Sequence, residues 1–567
     1  MISPFYRRLL VACSIGFVSL ALAGMARAGS ATWNANPDSS DWNTAQNWTP
    51  ETIPNSLTDV ATFATSAITD ISLTTGSPYN NLATLQFNPG ADSYSISSAG
   101  AGVGLEFFGD GIVNNSGKTQ QLIATNNASL GFFNSSSCGD QTEFSVLGGS
   151  VTFDENGTAN TAHFTVSDDS GVGGSVSFFR DATAASATFD VGLNGSVFMD
   201  DADAPNATIN IVGGTLTFLA GVYGGTSVID CSAGGKIILQ TFFNNEGDAG
   251  SPQITVHGAT STRRPRSRVD LPGAELGHTS LVLEGGTSAG ALGAIAFMAE
   301  GATLQHATVT LMAGTSGGEG AVMQFADRSD GGLGSVTVLG NAVLDLSRHR
   351  RSIPMKLGSL AGDGSVYLGA TNLSIGTNNQ STIFSGVIQD VPGRARGPLN
   401  KVGNGTLALN GFNTYSGSTL VSAGTLGGSG SIKGPLTVGT PGAQATVAPA
   451  AGTTTTATFT IQRSVTFTST GTYNCLLAGN GSDATSDQIS AGAVTVTNGA
   501  QFVLTSQVQG QLNPGMAFTV INNNGNEAIS GTFANLADGA TINVGGFNFQ
   551  ASYEGGDGND LTLTVVP

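Results

Sequence analysis

A turn followed by an alternating strand recurs through the first half of the chain. Six-residue copies begin at Gly148, Gly173, Asn194, Gly213 and Gly234, separated by 25, 21, 19 and 21 residues, and a similar copy begins at Asn127. Residues two apart share a strand face, so each copy adds two side chains to one face. The first column contains Val151, Val176, Val197, Leu216 and Ile237, and the second contains Phe153, Phe178, Met199, Phe218 and Leu239.

A second strand recurs in each interval. "AHFTV", "ATFDV", "ATINI" and "TSVID" predict a further buried column of Phe164, Phe189, Ile209 and Val228. Two short strands in every ~20 residues are typical of a β-solenoid, in which a rung buries its apolar face only by stacking on the next. At ~4.8 Å per rung, up to 25 rungs would reach roughly 100 Å. A β-sandwich is the alternative, but it would not require matched columns.

The composition agrees with an all-β chain. Glycine accounts for 81 of the 567 residues, and only 10% of the residues are charged. Glycine suits tight corners, whereas exposed helix faces are normally rich in Lys, Glu and Arg. The 40% hydrophobic content is enough for a core, which argues against wholesale disorder.

The N-terminus has the features of a secretory signal peptide over residues 1–28. Arg7 and Arg8 precede an apolar run, and Ala26 and Ala28 form an A-x-A cleavage signal before Gly29. No later stretch reaches the ~18 apolar residues of a membrane helix, so the mature chain is expected to be exported and to have no membrane span. Cys138, Cys231 and Cys475 are too few and too far apart for a disulfide framework.

The charge distribution narrows the choice of partners. A net charge of −19 argues against nucleic acid, because a phosphate backbone would be repelled. The few basic residues nevertheless cluster, which suggests a site for anionic polysaccharide or lipid headgroups; solvated loops between strands are the simpler interpretation. The candidate anion contacts are Arg263, Arg264, Arg266, Arg268, Arg348, Arg350 and Arg351.

A longer motif lies further along the chain. The segment "KVGNGTLALNGFNTYSGSTLVSAGTL" from Lys401 to Leu426 resembles the autotransporter-associated β-strand repeat, with its Lys-x-Gly-x-Gly opening and its Asn-x-Tyr-x-Gly centre. Residues 355–566 are also similar to the regions that flank this repeat. The resemblance implies a right-handed parallel β-helix passenger, displayed on or released from a Gram-negative-type bacterium, with an adhesive, matrix or structural role. No translocator barrel is predicted, since it would need many ~10-residue alternating strands.

These features divide the mature chain into four sections. They are an N-terminal cap at 29–100, solenoid rungs at 101–350, a solenoid with the repeat (399–428) at 351–430, and a C-terminal β section at 431–567. All three tryptophans, Trp33, Trp42 and Trp48, lie in the cap section. They are candidate glycan contacts, but we favour a bulky cover over the first rung, which would prevent end-to-end growth.

Signals for catalysis and for metal binding are weak. "GGDGND" at 555–560 is one copy of a calcium motif that works by repetition, and a turn is the simpler interpretation. The acid pairs Asp168–Asp169 and Asp200–Asp201, with Asp203, lack a basic partner other than Arg180 nearby in sequence. We therefore predict no catalytic residue, metal or cofactor, and a structural or adhesive scaffold. A glycan-binding module, or a polysaccharide lyase or hydrolase, is the alternative.

Overall fold

The computed structural model describes residues 29–74, 79–219, 221–240, 251–393, 396–451 and 453–567. The predicted signal peptide at 1–28 lies outside these residues. The described chain consists of β-strands with two short 3-10 turns, Ala45–Asn47 and Gly481–Asp483, and contains no α-helix. The prediction of an all-β fold is therefore confirmed.

Successive coils stack in parallel, and their first strands form one 17-stranded sheet. Trp48–Thr49 pairs antiparallel with the first strand, and all later neighbours pair in parallel. The parallel strands are Ala31–Trp33, Val60–Phe63, Asn80–Phe87, Gly104–Asn114, Ser129–Phe132, Ser150–Phe153, Ser175–Phe179, Ser196–Asp200, Thr215–Phe218, Lys236–Leu239, Arg268–Pro272, Ile295–Ala299, Val322–Asp327, Val343–His349, Ser365–Tyr367 and Val387–Gln389.

A second parallel ladder runs beside the first and continues towards the C-terminus. Its strands are Asp70–Leu73, Ser95–Ala99, Gln120–Thr125, Thr142–Leu147, His163–Asp169, Thr188–Val191, Thr208–Val212, Val228–Ser232, Gln253–Val256, Ser280–Leu283, Thr308–Leu311, Gly331–Val338, Met355–Gly362, Leu373–Ile375, Leu399–Lys401, Thr419–Val421, Leu436–Val438, Thr458–Phe467, Gln488–Val496 and Ala517–Asn523. On a third side, single-residue bridges join successive coils, as from Thr158 to Thr183 and from Thr183 to Asp203.

The last third of the chain extends the same stack. A further parallel ladder branches from Gly362 and contains Thr382–Phe384, Thr406–Leu409, Gly424–Gly427, Ala445–Ala448, Gly471–Asn480 and Gln501–Gln509. Two short strands, Phe412–Asn413 and Ser431–Ile432, pair with each other and lead into Thr458–Phe467. The antiparallel additions are Val172–Gly173, Thr485–Ser486, Thr541–Val544, Phe547–Gly555 and Asp560–Val566.

The register predicted for the repeats is confirmed in the first sheet. Val151 pairs with Val176, and Val176 pairs with Val197. Val197 pairs in turn with Leu216, and Leu216 pairs with Ile237. These side chains are fully buried. The matching thus builds a continuous interior, which excludes the β-sandwich alternative. The prediction of up to 25 rungs was too high, because there are about 17 turns, or ~80 Å at the usual spacing.

One member of the predicted second column was wrong by one residue. Ile209 pairs with Ile229, whereas Val228 pairs with Thr208 and is 46% exposed. A one-residue shift moves a side chain to the other strand face. The interval from Leu216 to Ile229 is one residue longer than the interval from Val197 to Ile209 on the preceding coil. The buried column is therefore Phe164, Phe189, Ile209 and Ile229.

Aromatic stacking contributes to the interior. Phe132, Phe153 and Phe178 lie one above another, with ring centroids 4.9 and 4.5 Å apart and nearly parallel planes. This spacing follows from the ~4.8 Å separation of paired strands, since in-register side chains repeat at the same distance. Cys138, Cys231 and Cys475 are free and buried in the same interior.

Candidate functional site

Three of the predicted arginines line one groove on the outer side of the first sheet. This surface, which we call the arginine groove, has a volume of about 540 Å³. Its lining residues are Pro265, Arg266, Arg268, Leu292, Ile295, Phe297, Gln324 and Arg348. Cationic side chains thus surround an apolar floor.

Parallel register explains why residues so distant in sequence meet here. Arg268 pairs with Ile295, and Phe297 pairs with Gln324 on the next coil, so these side chains occupy outward positions of adjacent strands. Arg348 enters from the far end of the following strand, where it pairs with Ala326. The groove therefore crosses four coils diagonally, roughly 20 Å from the Arg268 backbone to the Arg348 backbone at ordinary strand spacings.

The guanidinium groups differ in their partners. Nε of Arg268 donates to a carboxylate oxygen of Asp270 at 2.5 Å, and Nζ of Lys236 lies 3.6 Å from the same carboxylate. Among the described residues, neither Arg266 nor Arg348 forms an ion pair within 4 Å. The groove therefore retains positive charge on a chain that is strongly negative.

The other predicted arginines do not join this groove. Arg264 lines a second groove. Nε of Arg350 lies 3.8 Å from the carboxylate of Asp327. Arg263 and Arg351 are exposed. The structure thus divides the sequence cluster into groove residues and surface residues.

The second groove, of about 520 Å³, contains a histidine held between two acids. Nδ1 of His257 lies 2.7 Å from Glu284, and Nε2 lies 2.7 Å from Asp230. The acids belong to the coils before and after the histidine, so His257 links three coils. Because both ring nitrogens are engaged by carboxylates, neither is free to move a proton to or from a ligand.

This linkage predicts a pH-dependent contribution to stability. Burial lowers the pKa of His257, but its hydrogen bonds to the Asp230 and Glu284 carboxylates, together with their negative charges, outweigh burial and leave that pKa above its usual value. A raised folded-state pKa gives stability that is complete below the unfolded pKa, about 6.5, and is lost as the pH rises through the folded pKa.

The substitution His257→Gln should therefore destabilise the protein more at about pH 5.5 than at about pH 9.5. The difference between the two losses in the free energy of unfolding should be about 1 kcal/mol, since the ion pair is partly exposed. Hydrogen exchange of the strand Gln253–Val256, in the wild-type protein and in His257→Gln at the two pH values, measures this difference. His306→Gln, at an exposed histidine not paired with acids, is the control. A loss that is the same at both pH values would show that the charge of His257 has no role.

The tryptophans form a packed cluster at the N-terminal end. Trp33, Trp42 and Trp48 are at most 2% exposed, and their rings meet edge to face at 5.1 and 4.8 Å. Phe63 of the next coil packs against all three. Because other aromatic rings occupy the faces of the tryptophans, the cluster favours a cap over a surface that binds sugars.

Among the described residues, the predicted acids Asp168, Asp169, Asp200, Asp201 and Asp203 form no ion pair with a base. Arg180 pairs with Asp154 and Glu155 instead of with the predicted acid pairs. Burial is the largest cause of the raised pKa of Asp203, with nearby Asp181 and Asp201 adding to it. In the part of the chain that is described, no three His, Cys, Asp or Glu side chains are grouped to hold a metal ion. Residues 555–560 form the turn between the last two strands, as predicted.

Every signature side chain of the motif at 401–424 is engaged inside the solenoid. Lys401 is 1% exposed, and its Nζ donates to the carbonyl oxygens of Val402, Gly403 and Ala423 at 2.8, 2.9 and 3.2 Å. Burial lowers the pKa of Lys401 to about 8. The ammonium therefore closes a turn where carbonyl oxygens converge.

The centre of the motif is equally structural. The Asn413 side chain accepts from the Ile388 amide at 2.9 Å and donates to the Gly411 and Ser431 carbonyl oxygens, which joins three coils. The Tyr415 hydroxyl lies 2.6 Å from the Thr419 hydroxyl in the interior. A Cβ on Gly417 would lie 2.0 Å from the Gly397 carbonyl oxygen, so only glycine fits there.

Residues 399–427 match the family model of the passenger-associated transport repeat. This segment is therefore similar to a passenger repeat. This repeat and the surrounding β-solenoid fit an autotransporter passenger-type scaffold. No curated protein matches the chain at a significant level. Among the described residues, no helix is long and apolar enough to cross a membrane.

Sequence reasoning found the arginines but missed the floor of the groove. The first apolar column is regular as far as Ile237, and its next member, Val269, follows only after 32 residues. Continuing the buried column through Val269, Ala296 and Met323 would have aligned Arg268 with Ile295 in the outward row. The His257 linkage had no signal in the sequence, because Asp230 and Glu284 lie 27 residues away on either side.

Proposed function

We propose that the protein is an exported scaffold with a structural or adhesive role at the outer surface of a Gram-negative-type bacterium. The passenger repeat at 399–427 carries this proposal. The signal-peptide pattern at 1–28 supports export, although it belongs to the sequence alone. A rod of stacked coils suits such a role because its surface area grows with its length.

The same observations favour a scaffold over an enzyme. The repeat's polar side chains close turns and join coils, and His257 has both ring nitrogens engaged. Arg180 is paired with Asp154 instead of with the predicted acid pairs. Catalysis would need an acid, a base or a nucleophile held at a substrate-accessible position. The proposed role therefore rests on surface presentation and not on turnover.

Surface accessibility on intact cells tests this proposal. We expect external protease to degrade the protein on cells that produce it, while a cytoplasmic marker stays intact. Deleting the gene should reduce attachment to a surface or cell–cell aggregation, and complementation should restore it. Protection from protease in intact cells, with no protein in the medium, would contradict the proposed location. Unchanged attachment on deletion would contradict the adhesive role.

A further inference from the structure

We propose that the arginine groove binds a linear carboxylated polysaccharide. The inference deepens the proposed surface role, on which it rests for its biological setting. The groove combines three guanidinium groups with an apolar floor in one concave surface of about 540 Å³, within the size range of ligand sites.

The spacing of the cations indicates a polymer and not a single anion. Arg266 and Arg268 lie at one end of the groove, whereas Arg348 approaches from a strand three coils further on. Their backbones are separated diagonally by roughly 20 Å. A single carboxylate or a free phosphate reaches only one end, but a chain with repeated carboxylates can contact both at once.

The floor between the cations indicates sugar rings. Ile295 and Phe297 occupy outward positions that are half-buried, and Gln324 stands next to Phe297 on the adjacent strand. An aromatic face and aliphatic groups can cover the C–H face of a pyranose, while an amide donates to or accepts from its hydroxyls. The headgroup of phosphatidylglycerol, in contrast, contains no sugar ring that could cover this floor.

Charge complementarity points to carboxylates in particular. Arginine offers a planar pair of donors that matches a carboxylate oxygen pair. Asp270 holds the Arg268 side chain through Nε, and among the described residues the terminal nitrogens of Arg268 form no ion pair. The net charge of −19 would repel a densely charged phosphate polymer more strongly than a polymer with one carboxylate per sugar ring.

Binding of the full chain to polygalacturonate, measured by titration calorimetry, tests the proposal. We expect saturable binding that weakens with added salt and is absent for the fully methyl-esterified polymer, which has the same backbone without charge. Arg266→Gln and Arg348→Gln should each weaken binding about tenfold, since each removes a charge-assisted contact. Phe297→Thr should also weaken it without changing the net charge.

Arg351→Gln is the matched control, because it removes the same charge from an exposed residue outside the groove. It should change affinity less than about twofold. Equal losses for Arg348→Gln and Arg351→Gln, or equal binding of the esterified polymer, would overturn the proposal. So would a lack of saturable binding, or tighter binding of phosphatidylglycerol vesicles or single-stranded DNA through the same arginines. Such failures would leave the cell-surface protease result unaffected, so the two proposals can fail separately.

Discussion

Val197→Asp is expected to disrupt several neighbouring coils of the solenoid. Val197 is fully buried between Val176 and Leu216, so the aspartate would place an unpaired charge inside the stack. The cost should exceed about 4 kcal/mol, which lies at the upper end for single substitutions. Because coils contact mainly their nearest neighbours, the damage should be strongest near the site.

Hydrogen exchange resolves this effect along the chain. Protection should fall in the strands Ser175–Phe179, Ser196–Asp200 and Thr215–Phe218, while the distant strand Leu436–Val438 should retain most of its protection. The control Ser196→Asp introduces the same charge at the preceding, outward-facing residue and should have little effect. Equal damage from both substitutions would contradict the assignment of Val197 to the interior.

Lys401→Met is expected to destabilise the passenger repeat by about 3 kcal/mol or more. Methionine preserves the length and apolar character of the side chain but donates no hydrogen bond. The carbonyl oxygens of Val402, Gly403 and Ala423 would lose the partner that they share. These partly buried acceptors, left without their shared donor, account for most of the expected cost.

Hydrogen exchange and thermal unfolding again provide the measurement. Faster exchange should be concentrated in Leu399–Lys401 and Thr419–Val421, which pair with each other. Lys433→Met makes the same chemical change at an exposed position and should leave both measurements unchanged. Wild-type stability in Lys401→Met would mean that the lysine does not hold the turn.

The repeating apolar columns made the solenoid predictable. Spacings of 25 and 21 residues align Val151, Val176 and Val197 in the sequence, and these residues pair with one another in the structure. The same method failed at Val228, because a change of one residue in a loop shifts the register and leaves the strand's composition unchanged. Periodicity thus predicts the stacking better than it predicts the loops.

The candidate groove was only half predictable for a related reason. Clusters such as Arg266 and Arg268 are visible in the sequence, but their relation to Arg348 depends on how many residues each coil contains. Coil lengths vary here, so Phe297 and Gln324 reach the groove only through the three-dimensional register. For the tryptophans, the sequence left both a cap and a sugar-binding surface open, and their burial in one cluster favours the cap.

Engineered cysteine pairs test the parallel in-register stack most directly. Ser175 and Ser196 are outward-facing partners on adjacent coils, whereas Ser175 and Thr215 are two coils apart. The native Cys138 and Cys475 thiols are buried, and burial raises the pKa of each, which keeps them unreactive.

Mild oxidation of the double variant Ser175→Cys/Ser196→Cys should form a disulfide, because paired strands bring the Cα atoms within about 5 Å. The variant Ser175→Cys/Thr215→Cys should form none at about twice that distance. Disulfide formation in the second variant but not in the first would contradict the account.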